Sequence, residues 1–118
     1  MIITMIKVKV FTNSLQNSMN KREKFKFIPK GYLEVEEFDK DEAWNLLNWS
    51  NYAKEQPKET LNTEVSTCCS GILLQEEGQD ECYLSLSVGW KRFTNFEEAF
   101  RWMRPRARKN FLIDGDII

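Results

Sequence analysis

The chain of 118 residues contains no histidine. Histidine is the one side chain whose ordinary pKa suits proton transfer near neutral pH. Its absence excludes any Ser–His or Cys–His nucleophile pair. Three cysteines without a C-x₂-C spacing also fall short of a zinc ligand set. The sequence therefore predicts a protein that is not an enzyme and that uses no cofactor.

Cysteines and long apolar runs are also scarce. The three cysteines, Cys68, Cys69 and Cys82, are odd in number and two are adjacent, which is not the framework of a secreted disulfide domain. No apolar run approaches the roughly twenty residues that span a bilayer. The apolar start of the chain is interrupted by Lys7 and Lys9, with no cleavage site after it. We expect a reduced protein in the cytoplasm, with no membrane partner.

Glycine and proline are few, and no stretch of them divides the chain. A length of 118 residues is typical of one domain, so we predict a single domain over residues 1–118. Gly71, Gly78 and Gly89 stand alone rather than in a phosphate-binding loop.

Alternating apolar and polar residues predict the strands. Residues 6–10 and 24–27 alternate in this way, and residues 29–31, Pro-Lys-Gly, predict a turn before a short third run over 32–35. Later in the chain, three segments predict a hairpin: strands at 65–74 and 83–88 and a charged turn at 76–81. Residues 111–113 could add an edge strand.

Two capping patterns predict helices. Asp39 stands three residues before Glu42, so the first helix should begin near Lys40. The second should open at Thr94, with Glu97 three residues later, and end at Pro105. The apolar residues of this second helix follow helical spacing: Phe96, Ala99, Phe100 and Met103.

The element order is therefore ββ(β)αββα(β). Burying two amphipathic helices and the strands together predicts an α+β fold. We expect an antiparallel sheet of about four to six strands with both helices packed on one face.

Charge is divided along the chain although the net charge is only −1. Residues 1–31 carry seven Lys/Arg against one Glu, residues 32–81 carry thirteen acids against three Lys, and residues 90–110 carry seven Lys/Arg against two Glu. Such blocks indicate charged partners unless folding interleaves them so that they neutralise each other.

The acidic block combines carboxylates with Trp and Tyr, which are frequent anchors of protein interfaces. The predicted protein-binding residues are Glu34, Glu36, Glu37, Asp39, Asp41, Trp44, Trp49 and Tyr52. The sequence favours a small binding protein of a phage or mobile element that acts in the host cytoplasm. There it would inhibit a host protein or protein–nucleic acid complex, such as a defence nuclease, by placing its acidic face where nucleic acid binds.

The alternative is a nucleic-acid or nucleotide binder, including one that sequesters nucleotides. Basic residues interleaved with aromatics over residues 89–109 are the residue types that neutralise phosphates and stack on bases. The residues of this alternative are Trp90, Lys91, Arg92, Arg101, Arg104, Arg106, Arg108 and Lys109. Against it, the sequence pI of about 5.6 is low for a nucleic-acid binder.

A third alternative is a metal-dependent nuclease or phosphatase. Glu34 and Glu36 share a strand face, and Asp114 and Asp116 flank a glycine, a spacing compatible with Mg²⁺. No third acidic motif accompanies either pair, so the sequence favours this class least.

Overall fold

A computed structural model describes residues 4–15, 19–47, 71–109 and 111–115. These residues form five strands, two helices and one 3₁₀ turn. Their bounds are β1 Ile6–Asn13, β2 Phe27–Val35, α1 Lys40–Leu47, β3 Leu73–Glu76, β4 Cys82–Ser85, β5 Trp90–Phe93, α2 Phe96–Met103 and the 3₁₀ turn Arg104–Arg106. The strands form one sheet in the order β2-β1-β3-β4-β5, with every neighbouring pair antiparallel. The predicted α+β fold is confirmed.

Adjacent residues of each strand point to opposite faces of the sheet, and both faces are apolar. In β3, Leu73 and Leu74 are both fully buried, yet they belong to different core clusters. The cluster around Leu73 includes residues of α2, and the cluster around Leu74 includes residues of α1. The helices therefore lie on opposite faces, and the prediction that they share one face is wrong. Helical amphipathicity requires only that each helix cover an apolar surface, and this sheet offers two.

The two core clusters differ in their side chains. On the α1 face the buried residues are aliphatic: Val8, Val10, Leu33, Ala43, Leu47, Ile72 and Leu74. On the α2 face the buried residues include the aromatic side chains of Phe25, Phe27 and Phe93. Phe96 and Phe100 of α2 pack against these rings.

Strand β2 is one strand of nine residues, not two runs separated by a turn at residues 29–31. Its pairing with β1 shifts register between Val10 and Phe11, which face Gly31 and Pro29. Gly31 has a φ of 114°, a conformation that glycine adopts most readily. β2 is an edge strand, so the missing N–H of Pro29 does not disrupt the interior of the sheet. The Pro-Lys-Gly segment is an irregularity within a strand.

The segment after β4 also differs from the prediction. β4 ends at Ser85, and the chain turns at residues 86–89, where the Leu86 N–H donates to the Gly89 carbonyl. Residues 90–93 then form β5, a strand that the sequence analysis does not predict. Residues 111–113 form no strand, although the Leu112 N–H donates to Ser87 Oγ at 3.0 Å and its side chain is buried.

The helix starts are close to the predicted ones. Asp39 Oδ1 accepts from the backbone N–H groups of Asp41 and Glu42 at 2.9 and 3.3 Å, so α1 begins at Lys40 as predicted. The cap of α2 is Asn95, one residue after the predicted Thr94, and its side chain accepts from the Glu98 N–H at 2.8 Å. Both positions stand three residues before a glutamate, so the spacing alone does not choose between them.

Several predictions fall on residues outside the described ranges. These are the strand segment 65–70, Trp49, Tyr52, Cys68, Cys69 and Asp116. Among the residues that are described, no helix has both the length and the apolarity required to cross a membrane.

Candidate binding site at the acidic end of the sheet

Two acidic segments that are far apart in sequence lie at the same end of the sheet. The first, residues 36–42, comprises the β2–α1 connection and the first residues of α1 and carries five carboxylates. The second, residues 76–81, comprises the last residue of β3 and the β3–β4 connection and carries four. β1 lies between β2 and β3, and its first residues pair with the last residues of both: Ile6 with Val35 and Val8 with Glu76. We call the surface formed by residues 36–42 and 76–81 the acidic end.

Aromatic side chains connect the two segments of the acidic end. The rings of Phe38 and Tyr83 have centroids 5.5 Å apart. Together with Glu76, Gln79 and Glu81 they line a shallow cleft of about 250 Å³. Both rings are only partly buried, so carboxylates and accessible aromatic surface occur side by side.

Glu81 is held in place by its neighbours. Its carboxylate forms an ion pair with Arg92 and accepts a hydrogen bond from the Tyr83 hydroxyl at 3.2 Å. The Arg92 hydrogen bond is the largest cause that lowers the pKa of the Glu81 carboxyl from its ordinary value, and Tyr83 acts in the same direction. Glu81 therefore carries its negative charge at neutral pH.

A second cleft lies at the first turn of α1, where α1 faces the β4–β5 turn. Its volume is about 280 Å³, and its lining includes Asp41, Trp44, Ser85 and Trp90. The rings of Trp44 and Trp90 meet edge to face, with centroids 5.8 Å apart and planes at 90°. The indole N–H of Trp90 donates to Asp41 Oδ1 at 3.1 Å. We call this the tryptophan cleft.

The predicted acidic set divides into three groups. Glu36, Glu37, Asp39 and Asp41 are exposed at the acidic end, and Trp44 is half-buried beside them in the tryptophan cleft. Glu34 does not join this group, because Leu33 and Val35 on either side of it pack in the α1-face cluster and Glu34 alternates to the other face. Trp49 and Tyr52 lie outside the described residues.

The sequence interpretation missed part of the acidic end. Phe38 was not among the predicted contacts, nor were Tyr83 and the four acids of residues 76–81. The signal was present, because these acids belong to the acidic block of residues 32–81, but they were interpreted only as a charged turn. Their proximity to residues 36–42 follows from the strand order, which local patterns do not encode.

The predicted basic set does not form one surface. Consecutive residues of β5 alternate between faces, so Trp90 lies in the tryptophan cleft whereas Lys91 Nζ lies 5.7 Å from the Trp102 ring centroid on the α2 face. Lys91 also pairs with Asp114 at 2.8 Å, and Arg92 pairs with Glu81.

The arginines that follow α2 mainly contact their own fold. The Arg106 guanidinium lies 4.3 Å from the Trp102 ring centroid and donates to the Trp102 carbonyl at 2.8 Å. Arg108 donates to the carbonyls of Asn20 and Glu23 at 2.7 and 3.1 Å. Lys109 is half-buried, whereas Arg101 and Arg104 are exposed.

Three of the four carboxylates proposed for Mg²⁺, those of Glu34, Glu36 and Asp114, lie in the described residues. The hydrogen bond from Lys91 is the largest cause that lowers the pKa of the Asp114 carboxyl from its ordinary value, so Asp114 is engaged in an ion pair. Glu34 and Glu36 lie on a strand and in the loop after it. Over residues 4–15, 19–47, 71–109 and 111–115, no three His, Cys, Asp or Glu side chains are grouped so that they could hold a metal ion.

No protein-family model, curated protein or solved structure matches this chain. The function proposed below therefore rests on the side chains of the acidic end and on their geometry.

Proposed function

We propose that this protein binds a basic surface of another protein through its acidic end. The observation that supports this most directly is the convergence of two sequence-distant acidic segments around Phe38 and Tyr83. Carboxylates at the rim of an interface accelerate encounter with a basic partner, and accessible aromatic side chains supply contact area. The acidic end offers both within one surface.

The proposed activity is stoichiometric binding without catalysis or a cofactor. A basic groove that ordinarily holds nucleic acid carries Lys and Arg side chains, so an acidic end of this kind would compete for the same groove. We propose a nucleic-acid-handling protein as the partner, and inhibition of that protein as the effect. A phage or mobile-element protein that counters a host defence complex would act in this way.

The basic segment over residues 89–109 supports the alternative function less well. A phosphate-binding surface needs several cations that are exposed and close together. Here Lys91, Arg92, Arg106 and Arg108 have partners within their own chain. Nucleic-acid or nucleotide binding is therefore the outcome against which the proposal is tested.

The test begins with the immobilised protein and a nuclease-treated lysate of the cells that produce it. Mass spectrometry identifies what is retained, and affinity for the purified partner is then measured by calorimetry at low and high salt. Charge reversal is made once in each acidic segment, as Glu37→Lys and Asp80→Lys. Glu97→Lys on α2 is the matched control, because Glu97 is also exposed and belongs to the helix on the opposite face of the sheet from α1.

We expect Glu37→Lys and Asp80→Lys each to weaken binding about tenfold at low salt, and less at high salt, because added salt screens exposed charges. Glu97→Lys should leave the affinity unchanged. Equal affinity of the unaltered protein and the three variants for the partner would contradict the proposal. Recovery of only nucleic acid or a nucleotide from an untreated lysate would favour the basic segment instead.

A further inference from the structure

The tryptophan cleft has the chemical features of a site for an organic cation. A cation over the face of a tryptophan ring is attracted by the ring quadrupole, and Trp is the strongest of the aromatic side chains in this respect. Trp44 and Trp90 present two rings at right angles, so the walls of the cleft meet at a corner. Asp41 stands at the edge of the same cleft with a negative charge.

The hydrogen bond between Trp90 and Asp41 fixes the geometry of this corner. Because the Trp90 indole N–H donates to Asp41 Oδ1, the ring and the carboxylate hold each other in position. A carboxylate has acceptor capacity for about four hydrogen bonds, so Asp41 can still accept from a bound donor. Ser85 is almost fully buried among the lining residues, and the Gly89 position has no atom within 4 Å of where a Cβ would stand. The cleft is therefore open beside Gly89.

The α2 face provides an internal comparison. There the chain places its own guanidinium, that of Arg106, 4.3 Å from the centroid of the Trp102 ring. Lysine cations lie over other rings, such as that of Tyr32. Within the described ranges, no side-chain cation lies over Trp44 or Trp90. Over these same residues, a tryptophan ring is covered by a cation on the α2 face and not on the α1 face.

We propose that the tryptophan cleft binds the guanidinium group of an arginine side chain, and that this arginine belongs to the basic partner of the acidic end. A guanidinium is planar and weakly hydrated, stacks on aromatic rings and pairs with a carboxylate through two donors. Asp41 belongs both to the acidic end and to the cleft, so one partner can reach both. This inference rests on the proposed function for the origin of the arginine, whereas binding of the guanidinium can be measured without the partner.

The test uses two small probes, Nα-acetyl-arginine amide and Nα-acetyl-citrulline amide. Citrulline has nearly the shape of arginine but no charge. The chain has four tryptophans, so its ¹H–¹⁵N spectrum shows four indole signals, which single Trp→Phe variants assign. We expect the arginine probe to shift the Trp44 and Trp90 signals saturably. Trp102, already covered by Arg106, should shift less, and the citrulline probe should have little effect.

Two variants test the contacts. Asp41→Asn removes the charge but keeps an oxygen that accepts from Trp90, and it should weaken the arginine probe about two- to fivefold, as expected for an exposed ion pair. Trp44→Leu keeps an apolar residue on α1 and should weaken the probe about fivefold or more. Glu97→Gln is the matched control, because it removes an exposed carboxylate elsewhere and should leave binding unchanged.

Equal shifts by the arginine and citrulline probes, or an unchanged affinity in Asp41→Asn, would overturn the inference. If the arginine probe binds the cleft but no protein is retained from the lysate, the cation site stands and the proposed function fails. If a partner is retained and Glu37→Lys weakens it while the arginine probe does not bind, the proposed function stands and the cleft inference fails.

Discussion

In the described residues each face of the sheet carries one helix, but the two faces use their aromatic side chains differently. On the α2 face, Phe25 and Phe27 lie in the core with ring centroids 4.8 Å apart, and the half-buried Phe100 packs on Phe25 with centroids 5.2 Å apart. On the α1 face the buried core is aliphatic, and Trp44 and Trp90 stand at its rim beside an open cleft. Aromatic area buried in a core stabilises the fold, whereas aromatic area at a rim stays accessible to a partner. The α2 face is therefore the structural face, and the α1 face the proposed binding face.

The largest contrast is expected when one aromatic ring is removed from each face. Phe93 is 2 % exposed in the α2-face core, and Phe93→Ala should lower the free energy of unfolding by about 3–5 kcal/mol. Phe38 is only partly buried on the α1 face, and Phe38→Ala should cost about 1 kcal/mol. Urea denaturation measures both values. A larger loss for Phe38→Ala would contradict the assignment of the two faces.

The α2 face also contains a buried ionisable group, the thiol of Cys82. Burial first, and the nearby Asp80 charge second, raise the pKa of the Cys82 thiol to about 11 from an ordinary 9.0. The thiol loses its proton at lower pH in the unfolded chain than in the folded protein. The contribution of the Cys82 thiol to the free energy of unfolding is therefore fully present below pH 9 and declines as the pH rises toward about 11.

The measurement is the free energy of unfolding across this pH range for the natural sequence and for Cys82→Ala. The variant should be less stable at pH 8 because a buried side chain is truncated. The difference in the free energy of unfolding between the two proteins should shrink between pH 9 and about 11, because only the natural sequence carries the Cys82 thiol and loses stability over this range. A deficit that stays constant over this range would show that the thiol is not kept neutral.

The smallest effects are expected at the two helix caps. Asn95 caps α2 and Asp39 caps α1 through side-chain hydrogen bonds, so replacing either with alanine should lower stability by about 1 kcal/mol. The two variants should differ in binding, since Asp39→Ala also removes a carboxylate from the acidic end. Calorimetry with the partner tests this: equal affinities for both variants would remove Asp39 from the proposed interface.

Much of the fold could be predicted because its signals are local. Asp39 followed by Glu42 gave the start of α1, and the alternation over residues 6–10 gave the core of β1. β5 escaped prediction because Trp-Lys-Arg-Phe has apolar residues three apart and so lacks the period of two. β5 is a short, charged strand at the edge of the sheet, where it pairs with β4 alone.

The candidate site was less accessible to prediction than the fold. The residue types in the acidic block predicted Glu37, Asp41 and Trp44 as contact residues. No local sequence pattern indicates that these residues lie near Glu76 or Tyr83. The run of basic residues over 89–109 likewise predicted a phosphate-binding surface. The sequence does not reveal that Lys91 and Arg92 form ion pairs within the fold. Spacing along the chain does not report which charges fold against each other.

The sequence by itself determined the α+β class, the helix starts within one residue, the division of charge and the exclusion of histidine-based catalysis. Only the tertiary structure decided that the helices lie on opposite faces, that residues 36–42 meet residues 76–81, and that Trp44 meets Trp90. The physical reason is the range of the interactions. Periodicity and capping act within a few residues, whereas strand order and the packing of each helix depend on segments that are distant in sequence.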